Sequence, residues 1–431
     1  MTETAVMDRH EDADVPVSEV AADDGAWDGV EENINDPEEV RVIFCALDSF
    51  FQYAKVAHFN VTHLRRQSFY ALPQDHWKLL AAPPFNFLDT LEKTDAAIDA
   101  NANLARTIAK FGLQSFQTIA PGPDGPEPTM PHQWAGVAKH ADTDKARSTI
   151  RQLYRDWTEA GAAEREACYG PVLKAIEAEK QKCPETRGEP LRVLVPGAGL
   201  GRLVFELVAR GFTAEGNEIS YHQLLASSYI LNGCSTAGQH TIYPWVHSFS
   251  NHLTRENHLR SYTVPDIHPG TMLAGVPKPG SMSMCAADFL CLYADDEHKD
   301  EYDVVASVFF LDTAPNLIRY LEVIHHCLRP GGILVNIGPL LWHFENNAPG
   351  NHGQDDDGDG EHDYNNSSGI ADPGSFELSD DEVMALLEKM GFVVEWRQTG
   401  IEAPYILDRE SMLQTTYKAS AWVARKPLEQ K

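Results

Sequence analysis

Cysteine is scarce in this chain, and no two cysteines are spaced as C-x-x-C. The seven cysteines are scattered and odd in number, which argues against a disulfide framework and against a cysteine zinc site. No stretch approaches the roughly 20 apolar residues that are needed to cross a bilayer. The N-terminus also lacks the basic and apolar regions of a signal peptide. These absences predict a protein of the cytoplasm, or of the nucleus, without a membrane partner.

Basic residues are scarce as well, since 35 Lys and Arg face 64 Asp and Glu and give a formal net charge of −29. The excess is concentrated, because residues 1–40 hold fourteen acidic residues and one Arg, and residues 350–372 hold seven acidic residues and no Lys or Arg. Such segments are too polar to fold alone. They predict an acidic disordered tail over 1–37 and a low-complexity acidic insertion over 348–372. Nucleic acid is not expected as a partner, because a basic footprint is missing.

The rest of the sequence divides into a helical part and an alternating part. Residues 38–160 carry apolar positions at helical spacing and predict an N-terminal helical region. Its last helix is expected to continue over Thr143–Tyr169. Residues 161–431 alternate short apolar runs with helical segments, which is typical of a mostly parallel sheet with helices on both faces. The chain is long enough to bury a large core.

Short apolar runs predict the strands of a doubly wound α/β domain of the Rossmann-like kind. They are Leu191–Val195, Phe212–Gly216, Met282–Ala286, Asp303–Phe310, Ile333–Gly338, Phe392–Arg397 and Ala419–Arg425. Helices are expected between them, at Leu200–Arg210, Tyr221–Leu231, Asn316–Cys327 and Ser379–Met390.

A glycine-rich turn follows the first strand, where the sequence reads VLVPGAGLGR up to Arg202. A strand, a glycine turn and a helix in this order let the backbone approach a nucleotide-like ligand closely, at Gly197 and Gly199. The dinucleotide fingerprint requires glycine where this chain has Arg202. Glu218, at the end of the second strand, can accept hydrogen bonds from both ribose hydroxyls. The turn therefore predicts a cofactor site, and Arg202 disfavours a nicotinamide-dependent oxidoreductase.

Polar and aromatic residues follow the later strands. Asp288 and Phe289 come after the third strand, where S-adenosylmethionine-dependent enzymes of this architecture place an acid near the adenine amine and an apolar ring against the base. The alternative is an Asp that caps a turn and a Phe that packs in the core. Asp312 follows the fourth strand, at whose carboxyl end ligands bind in open α/β sheets. His343 follows the fifth strand and is either functional or a hydrogen-bonded structural histidine.

Longer strings resemble the carnosine N-methyltransferase family. They are STIRQLYRDW, VLVPGAGLGRL, GNEISYHQLLASSYILN, YPWVHSFSN, FFLDTAPN and GPLLWHFEN. The resemblance implies a class I methyltransferase fold, S-adenosylmethionine as the cofactor, and a small histidine-containing dipeptide as the substrate. The implied reaction is methyl transfer to an imidazole nitrogen, from carnosine to anserine.

The resemblance also implies roles for individual residues. Cofactor contacts fall on Gln152, Arg155, Gly197, Glu218, Asp288, Phe289 and Val308, the last replacing a Cys of the family. Substrate contacts fall on Asp312, His343 and Tyr405. Asp312 and His343 are the implied catalytic residues. A carboxylate can bind the imidazole N–H and stabilise the imidazolium that forms, and a histidine can relay the proton or hold the substrate carboxylate.

Several alternatives stay open. The acceptor is alternatively a protein histidine or another small imidazole, because the chemistry at the ring is the same. A catalytically silent scaffold is a further alternative, which the joint presence of a cofactor turn, Asp312 and His343 disfavours. The oligomeric state is open, a homodimer included. His247, His252, His258 and His268 lack metal-site spacing and are interpreted as solvated loop histidines, so no metal is expected.

Overall fold

The computed structural model describes residues 37–118, 134–182, 188–347 and 374–428. The predicted insertion over 348–372 lies outside the described residues. The predicted tail over 1–37 lies outside them too, apart from Pro37, which begins the first helix.

The N-terminal part of the described chain is helical. Its elements are α1 Pro37–Ala57, α2 Leu64–Tyr70, α3 Gln74–Ala81, α4 Phe87–Thr118 and α5 His140–Trp157, with a π-helical turn at His58–His63 between α1 and α2. Helices α1 and α4 bury apolar side chains against each other, among them Leu47, Leu104 and Ile108, which have no exposed surface. This helical region was expected from the sequence.

The predicted single helix over Thr143–Tyr169 is wrong. Helix α5 ends at Trp157, and a new helix, α6, runs over Ala162–Lys182. Thr158 between them is extended, with φ −114° and ψ 155°. The Arg165 guanidinium donates to the backbone oxygens of Arg155 and Thr158, at 2.6 and 2.8 Å. Apolar periodicity continues across the break, so the sequence pattern alone did not reveal it.

The remaining elements alternate strands and helices. In chain order they are β1 Arg192–Pro196, α7 Arg202–Ala209, β2 Thr213–Glu218, α8 Tyr221–Ser228, β3 His240–Ile242, α9 Arg255–His258, β4 Tyr262–Val264, α10 Pro269–Ala274, β5 Met282–Ala286, α11 Phe289–Leu292, β6 Tyr302–Val308, α12 Leu317–Cys327, β7 Leu328–Gly338, α13 Asp380–Lys389, β8 Val393–Pro404 and β9 Thr416–Arg425.

The main sheet has the order β5-β2-β1-β6-β7-β9-β8. Strands β5, β2, β1, β6 and β7 pair in parallel, and β9 pairs antiparallel with both β7 and β8. The predicted doubly wound, mostly parallel sheet is confirmed, and each predicted strand overlaps an observed one. The strand order reverses between β1 and β6, which is where ligands bind in sheets of this kind.

The helical region and the sheet region share a hydrophobic core. Leu47 of α1, Leu104 of α4 and Trp157 of α5 belong to the same buried cluster as Leu224 of α8 and Phe205 of α7. The boundary predicted at residue 160 stays a prediction, and it falls in the turn between α5 and α6.

Candidate active site

A cavity of about 390 Å³ opens at the carboxyl ends of β1, β2 and β6. Cavities of this size hold small molecules and nucleotide-like cofactors. The predicted site residues that line it are Gln152, Arg155, Gly197, Gly199, Glu218, Asp288, Phe289, Val308, His343 and Tyr405. Asp312 lies outside this lining. The fold therefore gathers residues from α5, four strand ends and two later loops around one space.

The glycine turn after β1 has a backbone that only glycine adopts easily. The φ angles of Gly197, Gly199 and Gly201 are 65°, 59° and 72°, in the left-handed region that L side chains rarely occupy. A Cβ atom on Gly197 would also lie 2.7 Å from the ring of Phe310. Both features keep the backbone bare at the cavity, so a ligand can lie directly against it.

Glu218 ends β2, and its carboxylate is directed at this turn. Its Oε2 accepts from the Gly199 N–H at 2.9 Å, and its Oε1 accepts from the N–H groups of Ile219 and Ser220 at 2.9 and 2.8 Å. Burial raises the pKa of Glu218, and the three N–H donors oppose that rise. A carboxylate has about four acceptor sites, so one further donor can be accepted without breaking these bonds. The predicted contact with both ribose hydroxyls would require one of these three N–H hydrogen bonds to break.

Asp288 and Phe289 form the wall beyond β5. Asp288 Oδ1 accepts from the N–H groups of Leu290 and Cys291, at 2.8 and 3.2 Å, and caps α11. Phe289 is buried, with its ring centroid 5.4 Å from that of Phe310. The capping role is therefore present in the structure, and both residues also line the cavity. Their predicted contacts with adenine stay predictions.

Helix α5 presents Gln152 and Arg155 to the cavity, one turn apart on the same face. The Arg155 guanidinium is held by Asp156, at 2.7 Å from Nε to Oδ1 and 2.8 Å from Nη2 to Oδ2. Gln152 Oε1 is buried and has no hydrogen-bond partner among the residues that the structure describes. An acceptor of this kind favours a donor on a bound ligand.

The end of β6 carries Val308 and then Phe309, both in the cavity lining. Phe309 has a φ of 54°, an unfavourable value for a residue with a bulky side chain. Its N–H still donates to the Ile337 oxygen at 2.9 Å, and its ring lies 5.8 Å from that of Tyr405. Strained backbone of this kind concentrates at functional sites, and the sequence carried no signal for it.

Asp312 contacts the segment that carries His343. It is 4% exposed. Its Oδ2 accepts from the Leu341 N–H at 2.9 Å, and its backbone oxygen accepts from the His343 N–H at 3.1 Å. Burial raises the pKa of Asp312, and the nearby His343 acts in the opposite direction. The structure therefore places Asp312 directly against the segment that carries His343.

Tyr405 follows β8, and a buried carboxylate holds the loop that carries it. Glu164 of α6 accepts from the N–H groups of Ile406 and Leu407, at 2.9 and 2.7 Å. The Arg155 guanidinium carbon lies 5.6 Å from the centre of the Tyr405 ring. Sequence reasoning missed Glu164. The helical segment AAEREA has no feature that predicts a contact 242 residues away in the sequence.

The interpretation of all four loop histidines as solvated is wrong for His247 and His258. His258 is fully buried, and burial together with Arg255 lowers its pKa to about 3. His247 Nε2 lies 2.6 Å from the hydroxyl of Tyr53 on α1. The N-terminal helices cover this segment, which sequence composition could not show.

Neither a metal-binding cluster nor a membrane-spanning helix occurs in the described part of the chain. No group of three or more His, Cys, Asp or Glu side chains there is arranged to hold a metal ion. Within the same residues, no helix has the length and apolar character of a membrane span.

A sequence model described as carnosine N-methyltransferase matches residues 132–428. The chain belongs to the carnosine N-methyltransferase family. Membership confirms the resemblance on which the residue roles were based, and it confirms that the protein is a methyltransferase.

Relatives from distant organisms match over most of their length. A carnosine N-methyltransferase of Schizosaccharomyces pombe is 35% identical over 391 residues, which are 90% of this chain and 97% of that protein. The Mus musculus carnosine N-methyltransferase is 34% identical over 88% of this chain and 85% of its own. In Drosophila melanogaster, carnosine N-methyltransferase unmet is 34% identical over 91% of this chain and 81% of its own. The matches to these relatives thus extend into the N-terminal helices, which precede the residues that the family model matches.

Proposed function

We propose that the protein transfers a methyl group from S-adenosylmethionine to an imidazole nitrogen of carnosine, giving anserine. The observation that carries the proposal is one cavity that joins the glycine turn and Glu218 to His343 and Tyr405. Family membership supports the choice of acceptor. A nicotinamide cofactor has no comparable support, since Arg202 is buried and bound to Asp266 at 2.7 Å.

The cavity residues fit S-adenosylmethionine. The unpartnered Gln152 Oε1 suits the ammonium of its amino-acid group. The bare backbone at Gly197 and Gly199 suits the nucleoside, and Glu218 retains an acceptor site for a ribose hydroxyl. Phe289 supplies an apolar ring for the base. Arg155 and Val308 complete this side of the cavity. When bound, the cofactor supplies an electrophilic methyl group.

The acceptor imidazole must present a lone-pair nitrogen to that methyl group, with its other nitrogen carrying a proton. We assign this orientation to His343 and Tyr405, because both line the cavity and lie on different segments of the chain. His343 can receive the proton that the methylated ring carries. The aromatic rings of Phe309 and Phe310 exclude water around the reacting nitrogen.

We propose that Asp312 stabilises the positive charge that develops as the acceptor is methylated. Its carboxylate is buried and adjacent to His343, where a negative charge is only weakly screened. In the arrangement seen here it acts through His343. Direct contact with the imidazole, as the family resemblance implies, would require the segment of Leu341 to His343 to shift.

The test is a methyl-transfer assay with labelled S-adenosylmethionine and three acceptors: carnosine, β-alanyl-alanine, and a protein rich in exposed histidine. We expect anserine from carnosine and no product from β-alanyl-alanine. Methyl transfer to the protein alone would show that the acceptor is a protein histidine, and the proposed reaction at the imidazole would be unchanged. Binding of S-adenosylmethionine without transfer to any histidine would refute the proposed reaction, and failure to bind it would support the silent scaffold.

A further inference from the structure

A second cavity, of about 340 Å³, lies beside the first, and helix α5 contributes residues to both linings. Helix α5 lines it with Arg147 and Arg151, whereas Gln152 and Arg155 face the first cavity. The loop of residues 405–408 separates the two spaces, with Tyr405 lining the first and Asp408 the second. Among the described residues, the two cavities share no lining residue, so the second is a separate space.

Three buried polar atoms of this lining lack partners. The indole Nε1 of Trp245, Nδ1 of His252 and Oδ2 of Asp408 form no hydrogen bond with any residue that the structure describes. Trp245 and Asp408 are 6% and 8% exposed. Buried polar groups without partners are uncommon and costly to desolvate. Three such atoms belong to residues of one lining, which therefore has donor and acceptor atoms left for a polar occupant.

The chemistry of these atoms defines what they accept and donate. The Trp245 indole is only a donor. His252 Nε2 donates to the Ser248 oxygen at 2.7 Å, which leaves Nδ1 as an acceptor in the neutral ring. Asp408 Oδ1 accepts from the Glu410 N–H at 3.0 Å, so the carboxylate is oriented by its loop, and its Oδ2 is a further acceptor.

The lining carries charges of both signs. Arg151 lies with its guanidinium carbon 5.3 Å from the centre of the Trp245 ring, and Arg147 is on the preceding turn of α5. Burial and the neighbouring Arg147 lower the pKa of Arg151, so an anion beside the two would be stabilised. Asp408 supplies the opposite charge. The lining thus offers a cationic donor group and an anionic acceptor group.

We propose that this cavity is a second ligand site, for a small zwitterion that carries both a carboxylate and an ammonium group. The carboxylate binds Arg147, Arg151 and the Trp245 N–H. The ammonium binds Asp408, with His252 as a further acceptor. Amino acids and short peptides belong to this class. The site shares no lining residue with the cavity described above.

The test uses three probes of equal chain length, namely β-alanine, propionate and propylammonium. Calorimetric titration is performed with S-adenosylhomocysteine bound in the first cavity, and because β-alanine is also a part of carnosine, the variants below decide which cavity holds it. We expect saturable binding of β-alanine, and at least about tenfold weaker binding of the two singly charged probes, because each loses a charged hydrogen-bonding end. Absence of saturable β-alanine binding would overturn the proposal.

Variants locate the probe. Asp408→Asn is expected to weaken β-alanine binding by about tenfold, since it removes the charged acceptor. Trp245→Phe keeps an aromatic ring and removes only the donor, so a smaller loss of affinity is expected. Tyr405→Phe is the matched control in the first cavity and should bind β-alanine as the wild type does. Equal affinity in Asp408→Asn and the wild type would place the probe elsewhere and contradict the proposal.

An indole ¹⁵N spectrum of the wild type provides a second readout. It requires only that Trp245→Phe folds, so that the Trp245 signal can be assigned. The Trp245 signal is the one that Trp245→Phe lacks, and it should shift on addition of β-alanine. If that variant does not fold, a crystal soaked with β-alanine shows whether the density lies beside Trp245 and Asp408. An unmoved signal, or an empty cavity in the soaked crystal, would contradict the site.

Discussion

At the scale of single residues, burial sets the properties of the carboxylates in the site. Glu218, Glu164 and Asp312 each have a pKa raised first of all by burial, and each is held by backbone N–H donors. Acids kept in this way reduce the stability of the protein at neutral pH, because they are ionised in an environment that disfavours charge. Such an arrangement is retained where activity needs the charge.

We expect Asp312→Asn to be more thermally stable than the wild type at pH 8 and to have at least about 100-fold lower kcat. A raised carboxyl pKa means that the unfolded state loses its proton first, so wild-type stability falls as the pH rises through the interval that begins near 3.8. Asp312→Asn has no carboxyl group at this position, so its stability does not fall for this reason. The gain in Tm should therefore shrink toward zero as the pH falls below that interval.

Melting curves between pH 3 and pH 8, recorded beside kcat, check this expectation. The exposed Asp296→Asn is the control, and its difference in Tm from the wild type should be small at every pH. A variant at position 312 that is less stable than the wild type at pH 8 would show that the charge serves the fold.

At the scale of elements, the site depends on how α5 and α6 meet the loop after β8. The break between these helices lets α6 turn, and its Glu164 then reaches Ile406 and Leu407. From the other helix, Arg151 Nη2 donates to the Ile406 oxygen at 3.3 Å. Tyr405 is thus positioned by residues far from it in the sequence.

We expect Glu164→Gln to raise the KM for carnosine about tenfold, with little change in the Kd of S-adenosylmethionine. An amide has one acceptor oxygen instead of two, so one of the two N–H bonds to the loop is lost and Tyr405 is less well held. Glu166→Gln on the same helix, whose side chain is 72% exposed, is the matched control. Kinetics and calorimetry on both variants check the prediction. A cofactor Kd that rises as much as KM would instead place Glu164 in cofactor binding.

At the scale of the whole molecule, the helical and sheet regions are joined by a buried polar network as well as by the shared core. Arg202 of α7 binds Asp266 at 2.7 Å and Glu206 at 3.0 Å, and its guanidinium carbon lies 4.9 Å from the centre of the Trp157 ring at the end of α5. The residue that disfavoured a dinucleotide site therefore has a structural role between the two regions.

We expect Arg202→Leu to lower the free energy of unfolding by about 3 kcal/mol, because Asp266 and Glu206 each lose a charged partner and Asp266 keeps only Arg165. Arg210→Leu is the control: it also removes a partner of Glu206, but its side chain is 36% exposed, and the expected loss is below about 1 kcal/mol. Urea unfolding of both variants gives the comparison. Equal losses would show that the buried network contributes no more than a surface ion pair.

The sequence predicts the parallel sheet well, because buried strands such as Val193–Val195 are continuous apolar runs between turn residues. It also predicts the glycine turn and Glu218, since their spacing has a stated physical meaning. It does not predict the break at Thr158, which depends on Arg165, or the strained backbone of Phe309. Asp312 was expected at the site from topology, yet it does not line the cavity. Long-range contacts of single side chains account for these differences.

The most direct test of the account is transfer of a ¹³C-labelled methyl group from S-adenosylmethionine to carnosine, followed by NMR in the wild type, Glu218→Gln and His343→Ala. We predict a new N-methyl signal in the wild type. Glu218→Gln should bind S-adenosylmethionine about tenfold more weakly, whereas His343→Ala should bind it normally and transfer the methyl group slowly. No N-methyl signal in the wild type, or wild-type transfer by His343→Ala, would contradict the account.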